Sequence, residues 1–197
     1  HVSVVDNLIP AVFVAGAKGL RLRWVMNRSL LRDPALDLFG NRLPNCFVRG
    51  RSDDSASEIE RVRQLAAGLG PGDGVAIFPE GTLYSPAKRA QVIRRLEQGG
   101  DAALLAQAQR LQHTLPPRLG GTLALLEAAR GADAVFCAHT GLEGALDKAS
   151  IAAGGLIGRE LRIHFRRIPA AAIPEGREAL TGWLLEQWAE LDRWVAM

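Results

Sequence analysis

The sequence predicts an α/β protein, a largely parallel mixed sheet flanked by helices. Three observations carry that expectation. Val75 to Phe78 is a continuous apolar run between turn signals, the pattern of a strand buried on both faces. Helical segments alternate with such strands along the chain, which builds layered domains around parallel sheets. The apolar run also stops on Pro79-Glu80-Gly81-Thr82, just past a strand's carboxyl end, where α/β sheets carry their chemistry.

The elements follow in order. A helix runs from about Asp6 towards Ala17, with Gly19 closing it. "LRLRWVM" (20–26) reads as a strand with Arg21 and Arg23 on one side. A helix through "PALDLFG" and a short strand "NCFV" (45–48) come next. Ser55-x-x-Glu58 is a capping box that opens a helix to about Gly68. After the Val75 strand, Ser85-Pro86 supplies an N-cap and an N1 proline for a basic helix, "AKRAQVIRRLE". Asp101 caps a further helix, and "TLALLEAA" (122–129) makes another. "DAVFCAH" (133–139) is a second strand of the interior type. "ELRIHFRRI" (160–168) alternates, with Leu161, Ile163 and Phe165 opposite Arg162, His164 and Arg166. A last helix from about Glu175 to Val195 carries Trp183, Trp188 and Trp194. Such a helix covers a core more often than it lies on a membrane.

Length and composition bound the rest. At 197 residues and 48% hydrophobic, the chain is long enough to bury one substantial core, and no low-complexity linker divides it, so 1–197 reads as a single domain. The net charge of +3 and pI of about 9.3 permit an anionic partner. Of the 24 basic residues all but Lys18, Lys88 and Lys148 are arginine, the side chain whose planar fork suits phosphate and carboxylate. A GC-rich coding sequence is the simpler cause of that excess. Cys46 and Cys137 stand apart, with no CxxC pattern and no Cys/His cluster, which fits buried thiols in a reducing compartment and speaks against a metal site. The chain begins at His1, so it reads as truncated there, with any anchor upstream removed.

Two clusters could carry chemistry. In Phe78-Pro79-Glu80-Gly81-Thr82, proline cannot donate to a ladder, glycine permits a sharp turn, and Thr82 adds a hydroxyl shortly before a helix N-terminus able to hold an anion. The plainer reading is a turn with Glu80 solvated. In His1-Val2-Ser3-Val4-Val5-Asp6, a histidine near a carboxylate can act as general base. Five positions on a continuous helix would set the two side chains about 140° apart. They meet only if His1 lies in a turn ahead of the helix.

Together these motifs resemble the glycerophospholipid acyltransferase family, of the 1-acyl-sn-glycerol-3-phosphate acyltransferase type. "HVSVVD" matches its H-x4-D block, "CFVRGR" (46–51) its arginine block, "FPEGT" (78–82) its third block and "VFCAHTG" (135–141) its fourth, in order, over roughly residues 1 to 145. The resemblance implies a layered glycerol-3-phosphate acyltransferase-like fold and an acyltransferase domain truncated at the H-x4-D histidine. His1 would take the acceptor's proton and Asp6 would hold His1. The donor would be acyl-CoA or acyl-carrier protein, with no bound cofactor and no metal. Arg49 or Arg51 would pair with the acceptor phosphate, and Glu80, Gly81 and Thr82 would shape its site beside Phe78 and Pro79. The implied partners are a lysophospholipid, an acyl thioester and a membrane surface at the cytoplasmic side of the cell membrane, peripheral or through an upstream anchor, with no nucleic acid. The chain departs from the family where Gly50 takes the usual arginine position and Ala138-His139 replaces the fourth-block proline. His139 would then line the pocket or be a hydrogen-bonded structural histidine. A different lipid or alcohol acceptor, or a catalytically weak lipid-binding module, stays open.

Overall fold

A computed structural model describes residues 3, 5–49, 56–100, 102–143, 145 and 148–197. The chain is mixed α/β. A helical segment of π-type winding, Pro10–Gly16, leads to β1 (Arg21–Asn27), α1 (Pro34–Arg42), β2 (Cys46–Val48), α2 (Ala56–Leu65) and β3 (Asp73–Ala76). Then come α3 (Pro86–Gly99), α4 (Ala102–Arg110), α5 (Leu119–Ala128), β4 (Ala134–Thr140), α6 (Lys148–Ala152), β5 (Arg162–Ile168) and α7 (Arg177–Val195). The chain groups into two compact units: one takes in residues 9–81 and 118–132, the other the remainder.

The first unit holds a parallel three-stranded sheet in the order β2-β1-β3. Val25 faces Cys46 across one ladder, and Arg21 faces Asp73 across the other. Arg21 and Arg23 do share a side, and both reach Asp73, at 2.8 and 3.5 Å. Arg23 also donates to the carbonyls of Leu65 and Ala67 at 2.9 Å, satisfying the C-terminus of α2. These arginines are therefore structural. The core collects Val25, Cys46, Val62, Leu65, Ala66 and Leu125, with Val75 and Ile77 packed against it. Helix α5 is apolar on nearly every side and buries Leu123, Ala124 and Leu125.

The apolar run at 75–78 is only partly strand. The ladder ends where Trp24 meets Ala76, so Ile77 and Phe78 extend beyond it, and Pro79 does not itself close the strand. Among the described residues β3 has β1 as its one ladder neighbour, and β1, not β3, is the central strand.

The second unit pairs β4 with β5 antiparallel, Cys137 opposite Phe165 and His139 opposite Ile163. Helix α7 covers one face of this pair. Trp183 meets Phe136 edge-on, Trp194 stacks on His164 at 5.3 Å, and Arg166 bonds Gln187 and Glu190. The covered side of β5 is thus its Arg/His side, while Leu161 and Phe165 on the other side are 42% and 37% exposed. Tryptophan and the arginine stems supply the apolar contact there, which alternation alone does not reveal. Trp188 is buried and donates to the Leu115 carbonyl at 2.7 Å, so α7 seals a core. Helix α3 begins as its sequence indicates, with Ser85 Oγ accepting from the Lys88 N–H at 3.2 Å and Pro86 at N1. The caps read at Ser55 and Asp101 lie outside the described residues.

Candidate functional site

Asp6 sits in a turn that precedes the first helical segment. The turn is built by local hydrogen bonds. The Ser3 N–H donates to Asp6 Oδ2 at 2.9 Å, the Asp6 N–H donates to the Ser3 carbonyl at 3.3 Å, and the Val5 N–H donates to Ser3 Oγ at 3.2 Å. Ser3 Oγ in turn donates to the Ala145 carbonyl at 2.5 Å, tying the turn to a distant loop. A serine whose N–H is taken by an acidic side chain three residues on is the return half of a capping box.

The Asp6 carboxylate is only 1% exposed. A buried charge requires nearby donors or opposite charge. His139 Nε2 lies 3.3 Å from Asp6 Oδ1. His139 is the penultimate residue of β4 and projects from the face opposite α7, together with Cys137 two residues earlier. Burial, and then the charge of Asp6, push the Cys137 thiol up to about 11. It stays protonated at neutral pH and is no nucleophile. Gly141, just beyond β4, has φ +99, and a Cβ there would lie 2.0 Å from the Glu160 carbonyl oxygen. Only glycine lets the two chain segments meet so closely.

In the other unit, Phe78 to Gly81 forms a β-turn closed by the Gly81 N–H donating to the Phe78 carbonyl at 3.0 Å. Proline and glutamate take its central positions. Pro79 accepts a 2.9 Å hydrogen bond from the Arg118 N–H, which fixes the turn to the start of α5. Glu80 is buried, with 5% exposure, so the reading of a solvated carboxylate does not hold. Gly81 has φ +67, and the Arg118 guanidinium packs against it.

Arg49 follows β2 with its side chain exposed, while its N–H donates to Glu58 Oε1 at 3.1 Å. Thr82 is half-buried, as are Phe78 and Pro79. His1 and Arg51 lie outside the described residues. Two residues that motif reading passed over now stand out. Arg118 is a lone arginine ahead of a helix, which gives no signal in sequence. Ser3 lies inside the H-x4-D block, and Ser-x-x-Asp carries a recognisable local pattern. A cleft of about 500 Å³ beside β2 is lined by Arg28, Asn45, Phe47 and Arg61, and by none of the predicted site residues.

Among the described residues, no group of three or more His, Cys, Asp or Glu side chains is placed to hold a metal ion. No described helix is long and apolar enough to cross a membrane. No protein-family model matches the chain, and no solved structure does. The chain is similar to lysocardiolipin acyltransferase 1 of Danio rerio, 24% identical over 151 residues, which cover 75% of this chain and 37% of that protein. It therefore spans little more than a third of the length of that curated relative. The similarity points to an acyltransferase family.

Proposed function

We propose that the protein transfers a fatty acyl group from an acyl thioester, acyl-CoA or acyl-carrier protein, to the hydroxyl of a lysophospholipid. The acceptor we favour is 1-acylglycerol-3-phosphate. The observation that carries this reading is a buried, locally braced Asp6 five positions after a histidine, in a chain similar to an acyltransferase. His1 takes the proton from the acceptor hydroxyl, and Asp6 orients the imidazole and stabilises its charged form. The hydroxyl oxygen attacks the thioester carbonyl carbon, and the tetrahedral intermediate then collapses with cleavage of the carbon–sulfur bond. The thiolate leaves and takes up the proton from the imidazolium. No acyl-enzyme is needed, and the protonated Cys137 is in keeping with that.

Arg49 pairs with the acceptor phosphate, with Arg51 beside it in sequence, and the Glu80-Gly81-Thr82 segment shapes the acceptor site. The whole chain acts as one acyltransferase domain. Because the acceptor is amphipathic, the reaction takes place at a membrane surface, on the cytoplasmic side where acyl thioesters are found. Gly50 at the usual arginine position leaves room for another acceptor, and the similarity to lysocardiolipin acyltransferase 1 makes lysocardiolipin the second candidate.

Thiol release from palmitoyl-CoA tests the reading, measured alone, with 1-acylglycerol-3-phosphate, and with lysocardiolipin. Release that requires either lipid supports transfer. Release without acceptor means a thioesterase, and no release under any condition means a lipid-binding module. His1→Ala is expected to lower the rate at least about 100-fold with folding intact. Near-normal turnover in that variant would overturn the base assignment.

A further inference from the structure

His139 holds a place that the proposed reaction does not yet use. Its side chain is 8% exposed and faces a fully buried carboxylate, with Nε2 3.3 Å from Asp6 Oδ1. Its other ring nitrogen, Nδ1, is buried with no hydrogen-bond partner among the described residues. Leaving a buried ring nitrogen unpaired is unfavourable. A histidine kept only for packing would be replaced at little loss by an apolar residue of similar size. The retained polarity is useful on the side that meets Asp6. A neutral imidazole carries one N–H, and the carboxylate can only accept, so the proton belongs on Nε2 and the lone pair on Nδ1.

We propose that His139 is a positioning residue for Asp6. The Ser3 N–H fixes Oδ2 at 2.9 Å, and His139 Nε2 on β4 stands 3.3 Å from Oδ1, close enough to act on that oxygen electrostatically although the contact does not have hydrogen-bond geometry. A carboxylate has about four acceptor sites, so this bracing leaves capacity for a catalytic imidazole. The pairing depends on strand parity. His139 and Cys137 project from one face of β4 and Ala138 from the other, so a one-residue slip would carry His139 to the face under α7. His139 acts through Asp6 and touches no reacting atom. This inference rests on the reading of Asp6 as the orienting carboxylate.

The test uses the full chain in the palmitoyl-CoA thiol-release assay with 1-acylglycerol-3-phosphate as acceptor, together with thermal unfolding. His139→Ala is expected to lower kcat roughly tenfold to a hundredfold while KM stays within about twofold. His139→Gln, whose side-chain nitrogen can reach the place of Nε2, is expected to recover most of that loss and also guards against a variant that fails to fold. In an Asp6→Asn background, adding His139→Ala should change the residual rate less than about twofold. A His139→Ala kcat near wild type overturns the proposal, as does a Gln variant no better than Ala at equal stability. Equal losses from His139→Ala with and without Asp6 would overturn it too, because they mean a general structural role. A fully active Asp6→Asn variant removes the reading of Asp6 itself, and this inference with it. An inactive Asp6→Asn beside a normal His139→Ala leaves that reading standing and removes only the inference. Independently of turnover, side-chain nitrogen NMR should show His139 in its Nε2–H form, and an Nδ1–H form would refute the arrangement.

Discussion

The Arg118 side chain lies against Gly81 so closely that its Nε would stand 2.5 Å from a Cβ at that position. The Arg118 N–H meanwhile holds the Pro79 carbonyl. One arginine thus braces the Pro-Glu-Gly turn through backbone and side chain together. Gly81→Ala should be destabilising twice over. An alanine at φ +67 costs about 1–2 kcal/mol, and the Cβ must displace the guanidinium. Urea unfolding of Gly81→Ala, Arg118→Ala and the double variant separates the two effects. The double variant should lose less than the sum of the singles, because the clash is gone once Arg118 is shortened.

Asp192 on α7 is buried and accepts from the backbone N–H groups of Gln112, His113 and Thr114 and from the Thr114 hydroxyl, all within 3.0 Å. One carboxylate therefore organises the 112–114 loop. Asp192→Ala is expected to cost about 2–4 kcal/mol, since it leaves several buried donors without a partner. Asp192→Asn should cost less, as one oxygen remains. Denaturant unfolding midpoints at a constant m-value would establish the order.

The Cys137 thiol gives a pH signature. Its folded value of about 11 lies above the roughly 8.5 of an unfolded cysteine. Between those values the unfolded chain has lost a proton that the folded chain retains. This contribution to stability is therefore fully present below about pH 8.5 and is lost as pH rises towards 11. Cys137→Ala should show a shallower decline than wild type across that window in pH-dependent unfolding. At pH 8, native Cys137 should resist iodoacetamide and react readily only after denaturation.

Ser85 offers a local test of helix α3. Its Oγ accepts from the Lys88 N–H, so Ser85→Ala should cost about 1 kcal/mol and Ser85→Gly only a few tenths, read from thermal unfolding. Equal losses in both would show that the hydroxyl, and not the backbone freedom at this position, is all that matters.

Much of this molecule is written within short windows of chain. The Ser85-Pro86 start of α3, the shared side of Arg21 and Arg23, and the β-turn at Pro79-Glu80-Gly81 each depend on residues a few positions apart, so the sequence alone specifies them. Strand ends are less legible. Ile77 and Phe78 prolong the apolar run without joining the ladder, because packing rewards apolar residues whether or not a hydrogen-bonded neighbour is present. The same limit hid the orientation of β5, whose Arg/His side is covered by Trp194 once α7 lies across it.

What local rules could not reach is which distant groups become neighbours. Asp6 meets His139, Ser3 meets Ala145, and Arg118 meets Gly81, each across long stretches of chain. Sequence determined that position 6 would carry a carboxylate and position 139 an imidazole at a strand end. Tertiary structure decided that they face one another, because strand pairing and parity select which side of β4 meets the amino-terminal turn.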